Sequence, residues 1–308
     1  MLIDYRTKLS PEQIRSLDSI KESLTAIEPT VKELLAQHRL NSKRWYSHDI
    51  LPWGRGKDFS EVEWREEQNS LRPEVVVALE TNLLTEDNLP YYHAQIERMI
   101  ESGGVWQEWN RRWTSEEGAH AAALRDYLYL LRVMDPRQIE DNRRSVMEAG
   151  FDREFADPLE VFAYTAAQEL ATRVSHLRTG QKAEEPIVLQ LLSNIARDEN
   201  LHFVFYRAVV SALLEVNPEQ MLPAIMKQLY SFEMPGAGMD NFEFRQTTIA
   251  NAGIYGAREH RDMVIIPLLR YWEIDKMIVR APPAQKAQER ILRLEKVLDR
   301  VVEKQERG

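Results

Sequence analysis

The chain has 308 residues, 44 % of them apolar and 29 % charged, with a net charge of −9 and no cysteine. That is ample apolar material for a buried core, while the missing thiols exclude disulfides, a cysteine nucleophile and a cysteine-held iron–sulfur cluster. The acidic balance argues against nucleic acid as a partner, since phosphate binding asks for a basic surface.

The opening MLIDYRTKLSPEQ holds no apolar run of signal-peptide length, which points away from secretion and toward a cytoplasmic protein. Residues 40–70, with Trp45, Trp53 and Trp64, read as an irregular but packed N-terminal wrap. Beyond it, helical spacing dominates and alternating strand-like runs are scarce. Leu79, Leu83 and Glu86 share one helical face. Phe162–Val174 is small and apolar with Glu169 near its middle, and Ile187–Leu214 is a long apolar segment broken mainly by Arg197, Asp198, Glu199 and His202. Breaks fall at Met134-Asp135-Pro136, at Asn217-Pro218, in Gly236-Ala237-Gly238 and at Pro282-Pro283. The Gly236–Gly238 triplet lacks a third glycine and a preceding strand, so it reads as a turn and not as a nucleotide loop. The apolar run Met263–Leu269 is too short for a membrane span and contains a proline. In the last segment Ile291, Leu294, Leu298 and Val301 make the stripe of a helix docked on its own domain. The pattern predicts an all-α bundle of roughly ten helices. It is read as one domain over 1–308, with a core at about 71–232 and C-terminal helices at about 239–308.

Two Glu-x-x-His pairs occur, Glu117 with His120 and Glu199 with His202. Residues three apart on a helix share a face, so carboxylate and imidazole can meet at one metal. One such pair is expected by chance, and Thr114-Ser115-Glu116-Glu117 also matches a capping box that would fold Glu117 back on a helix start. Spacing strengthens the metal reading. Glu86 precedes Glu117 by 31 residues and Glu169 precedes Glu199 by 30, and the halves are offset by 83 and 82 residues. Two helical hairpins, each giving one lone Glu and one Glu-x-x-His, form the ligand set of ferritin-like di-iron or di-manganese bundles. Acids on apolar faces are costly unless paired or metal-bound, and carboxylate-rich sets suit iron or manganese better than zinc. Pro90, four residues after Glu86, deprives the Glu86 carbonyl of its helical partner and predicts a kink or bulge there.

Several blocks match a known family in order and spacing. They are Glu86-Asp87-Asn88-Leu89-Pro90, Trp113 to His120, Tyr127-Leu128-Tyr129-Leu130, Val133-Met134-Asp135-Pro136-Arg137, Gln168 to Thr172 with Ser175-His176, and Asp198 to His202. From about Trp45 to Glu273 the chain resembles the soluble acyl-[acyl-carrier-protein] desaturases, and the bacterial, actinobacterial-type members more than the plant enzymes. The resemblance implies two iron ions per chain, with Glu86, Glu117, His120, Glu169, Glu199 and His202 as ligands and with Glu117 and Glu199 bridging. It implies removal of two hydrogens from a saturated acyl chain with O2. The acyl chain would be held on acyl carrier protein, with electrons from a ferredoxin-type donor, in a homodimer. It further implies a role for Thr172 in oxygen activation or proton delivery and for Trp45 on an electron route. An ordinary helical threonine and a plain core tryptophan are the alternatives. Asp198 could orient a ligand imidazole, and Glu116 holds the equivalent place in the first half.

Two departures stand out. Gly118-Ala119 replaces a commoner Asn-Arg, and Leu201-His202-Phe203 replaces Arg-His-Glu. For an acidic carrier, Arg258, Arg261, Arg270, Lys276 and Arg280 are candidate docking cations, or simply a solvated charged face. Other oxygenases on the same scaffold, and a non-catalytic metal- or carrier-binding protein, are the competing functions.

Overall fold

Proline sets where most of the long helices begin. Pro73, Pro136, Pro158, Pro186 and Pro218 each open a helix at its first position, where the missing N–H costs nothing. Asp135, Asp157, Glu185 and Asn217 sit just before four of them and accept a backbone N–H of the first turn. The structure, a computed structural model, describes residues 10–100, 103–151, 153–236 and 239–307; among these it is all-α, with no strand. Residues 1–9 of the stretch read for a leader, and Ala237 and Gly238 of the presumed turn, lie outside the described residues.

In chain order the helices are α1 (Pro11–Ala26), α2 (Glu28–Asn41), α3 (Ser47–Ile50), α4 (Pro73–Asp87), α5 (Leu89–Met99), α6 (Val105–Leu130), α7 (Pro136–Ala149), α8 (Pro158–Ala183), α9 (Pro186–Val216), α10 (Pro218–Tyr230), α11 (Phe242–Asn251), α12 (Ala257–Glu259), α13 (Ile266–Trp272) and α14 (Pro282–Arg307). A π-helical stretch, His260–Ile265, joins α12 to α13 ahead of Pro267, which has no N–H to continue the α-helical ladder.

The helices α4, α6, α8 and α9 pack against one another as the central bundle. The α8–α9 hairpin is tight: a Cβ at Gly180 would stand 3.3 Å from Leu192 Cβ and 3.4 Å from Leu189 Cα, so glycine lets the two helices approach there. Helix α2 lies across α6 and α9, α7 and α11 cover α4, α10 flanks α8, and α14 packs on α10. No helix among the described residues is long and apolar enough to cross a membrane.

Two apolar clusters fill the bundle, and the acids lie between them. On α6, Trp106, Trp109 and Trp113 belong to the larger cluster, and Leu124, Tyr127 and Leu128 to the smaller. Along α9 the order reverses, with Leu191, Leu192 and Ile195 in the smaller cluster and Phe205, Tyr206 and Val209 in the larger. Glu117, His120, Glu199 and His202 occupy the turns between. Each fully buried Leu or Phe in these clusters contributes roughly 1.5–3 kcal/mol of burial free energy, which holds the acidic layer in register.

Three local expectations are refined. The helix carrying Glu86 is broken at Asn88, where α4 ends and α5 begins, so Pro90 has produced a complete break. In α14, Ile291 and Leu294 are buried as the stripe requires, but Val301 is exposed and Val302 is the buried residue of that turn. Within the wrap, Leu51 and Leu71 are buried and the Trp64 indole donates to the Arg132 carbonyl at 3.0 Å, whereas Trp53 is half exposed.

Candidate metal centre

Helix α6 starts at Val105, three turns before Glu117, so Thr114–Glu117 cannot cap a helix start. Thr114 bonds back to the Asn110 carbonyl, and Glu117 turns inward. The six acids and imidazoles singled out by spacing meet in one buried layer: Glu86 from α4, Glu117 and His120 from α6, Glu169 from α8, Glu199 and His202 from α9. Two of them, His120 and His202, have no exposed surface at all, and neither does Glu169.

The donors fall into two overlapping groups whose ligand atoms all lie within 4.8 Å of one another: Glu86, Glu117, His120 and Glu199, and Glu117, Glu169, Glu199 and His202. Glu117 and Glu199 are common to both. Each imidazole turns Nδ1 inward. His120 Nδ1 lies 3.4 Å from Glu199 Oε1 and 3.8 Å from Glu117 Oε2, and His202 Nδ1 lies 2.8 Å from Glu117 Oε1 and 3.5 Å from Glu169 Oε2.

The outward nitrogens are held crosswise. His120 Nε2 faces Asp198 Oδ2 at 3.5 Å, and His202 Nε2 faces Glu116 Oε2 at 3.1 Å. Each of these acids directly precedes the shared glutamate of the opposite hairpin. Asp198 in turn accepts the Trp45 indole N–H at 2.6 Å, and the Trp45 ring stacks on His120. Glu116 is bonded by His38 Nε2 at 2.8 Å, by Ser42 Oγ at 3.0 Å and by Arg112.

The remaining two carboxylates are held by ring nitrogens. Trp113 donates its indole N–H to Glu169 Oε1 at 3.0 Å, and His176 Nε2 stands 3.3 Å from Glu86 Oε1. Thr172 Oγ1 bonds back to the Gln168 and Glu169 carbonyls at 3.1 Å and reaches Glu199 Oε2 at 3.3 Å. The two readings of Thr172, helical back-bonding and contact with the cluster, are therefore combined in one hydroxyl.

Sequence spacing singled out neither His38, Trp113 nor Asn82, and it gave His176 no role. The usable signal was helical phase: Asn82 lies four residues before Glu86, Trp113 four before Glu117, and His176 seven after Glu169. His38 comes from α2, and nothing local ties it to the others.

Electrostatics follow from the crowding. Burial, then the charges of Glu117 and Glu199, push Glu86 well above the usual carboxylate range, and Glu169 rises for the same reasons. Burial opposes ionisation of Glu199 too, but the adjacent His120 and His202 imidazoles hold it well below that range, and they lower Glu117 likewise. Against burial, the surrounding acids raise both imidazoles well above their ordinary value. Burial lowers His176 to about 4, so it is neutral.

Seven buried atoms here have no hydrogen-bond partner: Glu117 Oε1, Glu169 Oε2, Glu199 Oε1, Asp198 Oδ1, His202 Nδ1 and both nitrogens of His120. Such orphans cost roughly 1–3 kcal/mol each, and five of them, all but Asp198 Oδ1 and His120 Nε2, belong to the two donor groups. Four ionised carboxylates with two neutral imidazoles carry four negative charges, which two divalent cations cancel. The residues fit a metal pair in orphaned atoms, donor chemistry and charge alike.

A small apolar cavity of about 30 Å³ adjoins this layer, lined by Tyr92, Ile96, Trp113, Phe155, Val161 and Tyr164 among others. Trp113 forms part of its wall and touches Glu169 with its other edge. Gly118 and Ala119 lie on the exposed face of α6, so that departure alters the outer surface and leaves the ligand layer unchanged. Of the proposed docking cations, Arg261 pairs with Asp262 and Asp299 and Lys276 with Glu273, while Arg270 and Arg280 are exposed.

Comparison with known proteins agrees with this geometry. A fatty acid desaturase family model matches residues 20–308. DesA1 of Mycobacterium tuberculosis, by name an acyl-[acyl-carrier-protein] desaturase, is 38 % identical over 262 residues, covering 82 % of this chain and 78 % of that one. The chloroplastic stearoyl-[acyl-carrier-protein] 9-desaturase of Ricinus communis is 31 % identical over 282 residues, covering 85 % and 71 %. The X-ray structure of DesA2 from Mycobacterium tuberculosis superposes with a TM-score of 0.70 at 26 % identity, covering 86 % of this chain and 99 % of that one. With nearly its whole length matched and a carboxylate-rich centre in its bundle, the chain belongs to the fatty acid desaturase family.

Proposed function

We propose that this protein is an O2-dependent acyl-[acyl-carrier-protein] desaturase that introduces a cis double bond into a saturated acyl chain. Glu86, Glu117, His120, Glu169, Glu199 and His202 hold two irons, with Glu117 and Glu199 shared between them. The bound iron pair supplies the redox chemistry: dioxygen takes four electrons to become two waters, two from the acyl chain and two from a ferredoxin-type donor. The observation that carries the assignment is the convergence of five unpartnered buried atoms, Glu117 Oε1, Glu169 Oε2, Glu199 Oε1, His120 Nδ1 and His202 Nδ1, on two overlapping donor groups.

The chain's own residues do the rest. The apolar lining beside Trp113 marks where the acyl chain would enter, widening a narrow space, and its aromatic and aliphatic wall would exclude water from carbons that must lose hydrogen. Asp198 and Glu116 fix the two imidazoles with Nδ1 inward. Thr172 places its hydroxyl oxygen 3.3 Å from a shared carboxylate, in position to deliver or accept a proton there. Trp45, bonded to Asp198 and stacked on His120, links the wrap to the centre and would serve electron entry. Exposed Arg270 and Arg280 are offered to the acidic carrier.

The test is iron content and an absorption spectrum of the purified protein, followed by turnover of saturated acyl-carrier substrates with a ferredoxin and its reductase. About two irons per chain and an unsaturated product support the assignment. A protein that takes up no iron overturns the metal centre, and a hydroxylated product in place of an alkene reassigns the chemistry.

A further inference from the structure

Three buried side chains outside the ligand set determine which oxygen of Glu86 faces the centre. Ser175 Oγ lies 3.4 Å from Asn82 Oδ1, an atom that can only accept, so the serine donates. That orientation turns Asn82 Nδ2, which can only donate, toward His176 Nδ1 at 3.2 Å. His176 Nδ1 must then carry a lone pair, so the proton of this imidazole sits on Nε2 and is donated to Glu86 Oε1 at 3.3 Å. Glu86 Oε2 is left as the inward oxygen, 3.9 Å from His120 Nδ1. Asn82, Ser175, His176 and Glu86 are all at least nine-tenths buried, so no water competes for these contacts. In the other half the lone carboxylate, Glu169, is held by an indole N–H alone.

We propose that Ser175, Asn82 and His176 form a positioning relay that confines Glu86 to binding through one oxygen, so that the metal position beside His120 depends on a hydrogen-bond chain the position beside His202 lacks. This rests on the metal-pair assignment made above. His176 Nε2 also stands 3.8 Å from the shared Glu199 Oε1, beyond hydrogen-bond reach, so the relay acts through Glu86 and its removal weakens the position beside His120 more than the other. Outer partners of metal ligands cost about 10–100-fold in affinity when lost, and the effect should decline along the chain from His176 to Asn82 to Ser175.

The experiment is anaerobic Mn2+ binding by calorimetry, with electron paramagnetic resonance of the loaded samples, on the full chain and on His176→Ala, Asn82→Leu and Ser175→Ala. Thr179→Val, buried on the same helix and bonded only to the Ser175 carbonyl, is the structural control. The wild type and the control should bind two ions and show a spin-coupled pair. His176→Ala should bind one ion tightly and one about 10–100-fold more weakly, with the six-line signal of isolated Mn2+ at intermediate loading. Asn82→Leu should follow with a smaller split, and it carries the test if His176→Ala does not fold. Two positions weakened together, or no split in either variant, overturns the relay. A wild type that binds fewer than two ions overturns the metal-pair assignment itself.

Discussion

The Glu86–His120 half and the Glu169–His202 half of the centre share one plan and then part company. In both, the imidazole turns Nδ1 to Glu117 and Glu199 and gives Nε2 to an acid borrowed from the opposite hairpin. Beyond that acid the halves differ. Asp198 is bonded by Trp45 and has Arg197 only at 3.8 Å, whereas Glu116 is bonded by His38, Ser42 and Arg112. The two hydrogen bonds on the lone carboxylates also differ, being imidazole on Glu86 and indole on Glu169. What repeats is what two equivalent metal positions require. What differs is the connection of each position to the rest of the molecule, and there the duplication imposes nothing.

The largest effect should separate the shared carboxylates from the unshared ones. Glu199→Ala removes a donor common to both groups and is expected to abolish binding of both metals. Glu86→Ala or Glu169→Ala should leave one position occupied. Iron per chain after loading distinguishes these, and a Glu199→Ala protein that keeps two irons would refute the sharing. The same loading should release protons. His120 and His202, raised by the surrounding acids, and Glu86 and Glu169, raised by burial, hold their protons to higher pH in the metal-free protein than free groups do. A metal needs them deprotonated, so affinity must fall as pH falls and proton release must accompany binding. Calorimetry in buffers of different ionisation enthalpy measures that release directly.

A smaller and more symmetric effect is expected at the crosswise acids. Asp198→Asn and Glu116→Gln each leave a ligand imidazole without its anionic partner, which costs about 10–100-fold in metal affinity. Asp198→Asn should act on the position of His120 and Glu116→Gln on that of His202. If only one variant responds, the crosswise pairing is decorative on the other side. Trp45→Phe should leave metal content intact and slow reduction of the loaded centre by the external donor, read by stopped-flow absorbance. Unchanged reduction kinetics would return Trp45 to a packing role.

The inner layer could be read from the sequence because ligand pairs on helices obey a fixed period, and because a duplicated hairpin repeats its spacing. Glu86, Glu117, Glu169 and Glu199 declare themselves as acids on apolar faces at matched separations. The helix starts at Asp135-Pro136 and Asn217-Pro218 were equally legible, and Asp157-Pro158 and Glu185-Pro186 carry the same signal. The outer layer was harder to see. His38 reaches Glu116 across 78 residues of chain, and Trp45 reaches Asp198 across 153. Their partners are fixed by tertiary packing, which no local period records. The exposed Val301 has another cause: near the end of α14 only one side of the helix has anything to pack against, so a single-residue phase error exchanges it with Val302.

The smallest effect should come from a residue present in one half alone. Three residues after Glu169 stands Thr172, whose hydroxyl reaches Glu199 Oε2, while three residues after Glu86 stands Leu89, which has no polar group. The cavity wall formed by Trp113 and Thr165 also belongs to the Glu169 half, so the hydroxyl lies on the side where the acyl chain would arrive. Thr172→Val keeps the volume and the helix but removes the proton. Both metals should remain bound, because Thr172 coordinates nothing, while turnover should fall by roughly the 10²-fold lower end of what a positioned proton donor contributes. Thr172→Ser should restore most of it. Equal rates in Thr172→Val and the wild type would reduce Thr172 to its bonds with the Gln168 and Glu169 carbonyls, leaving no functional difference between the halves at this position.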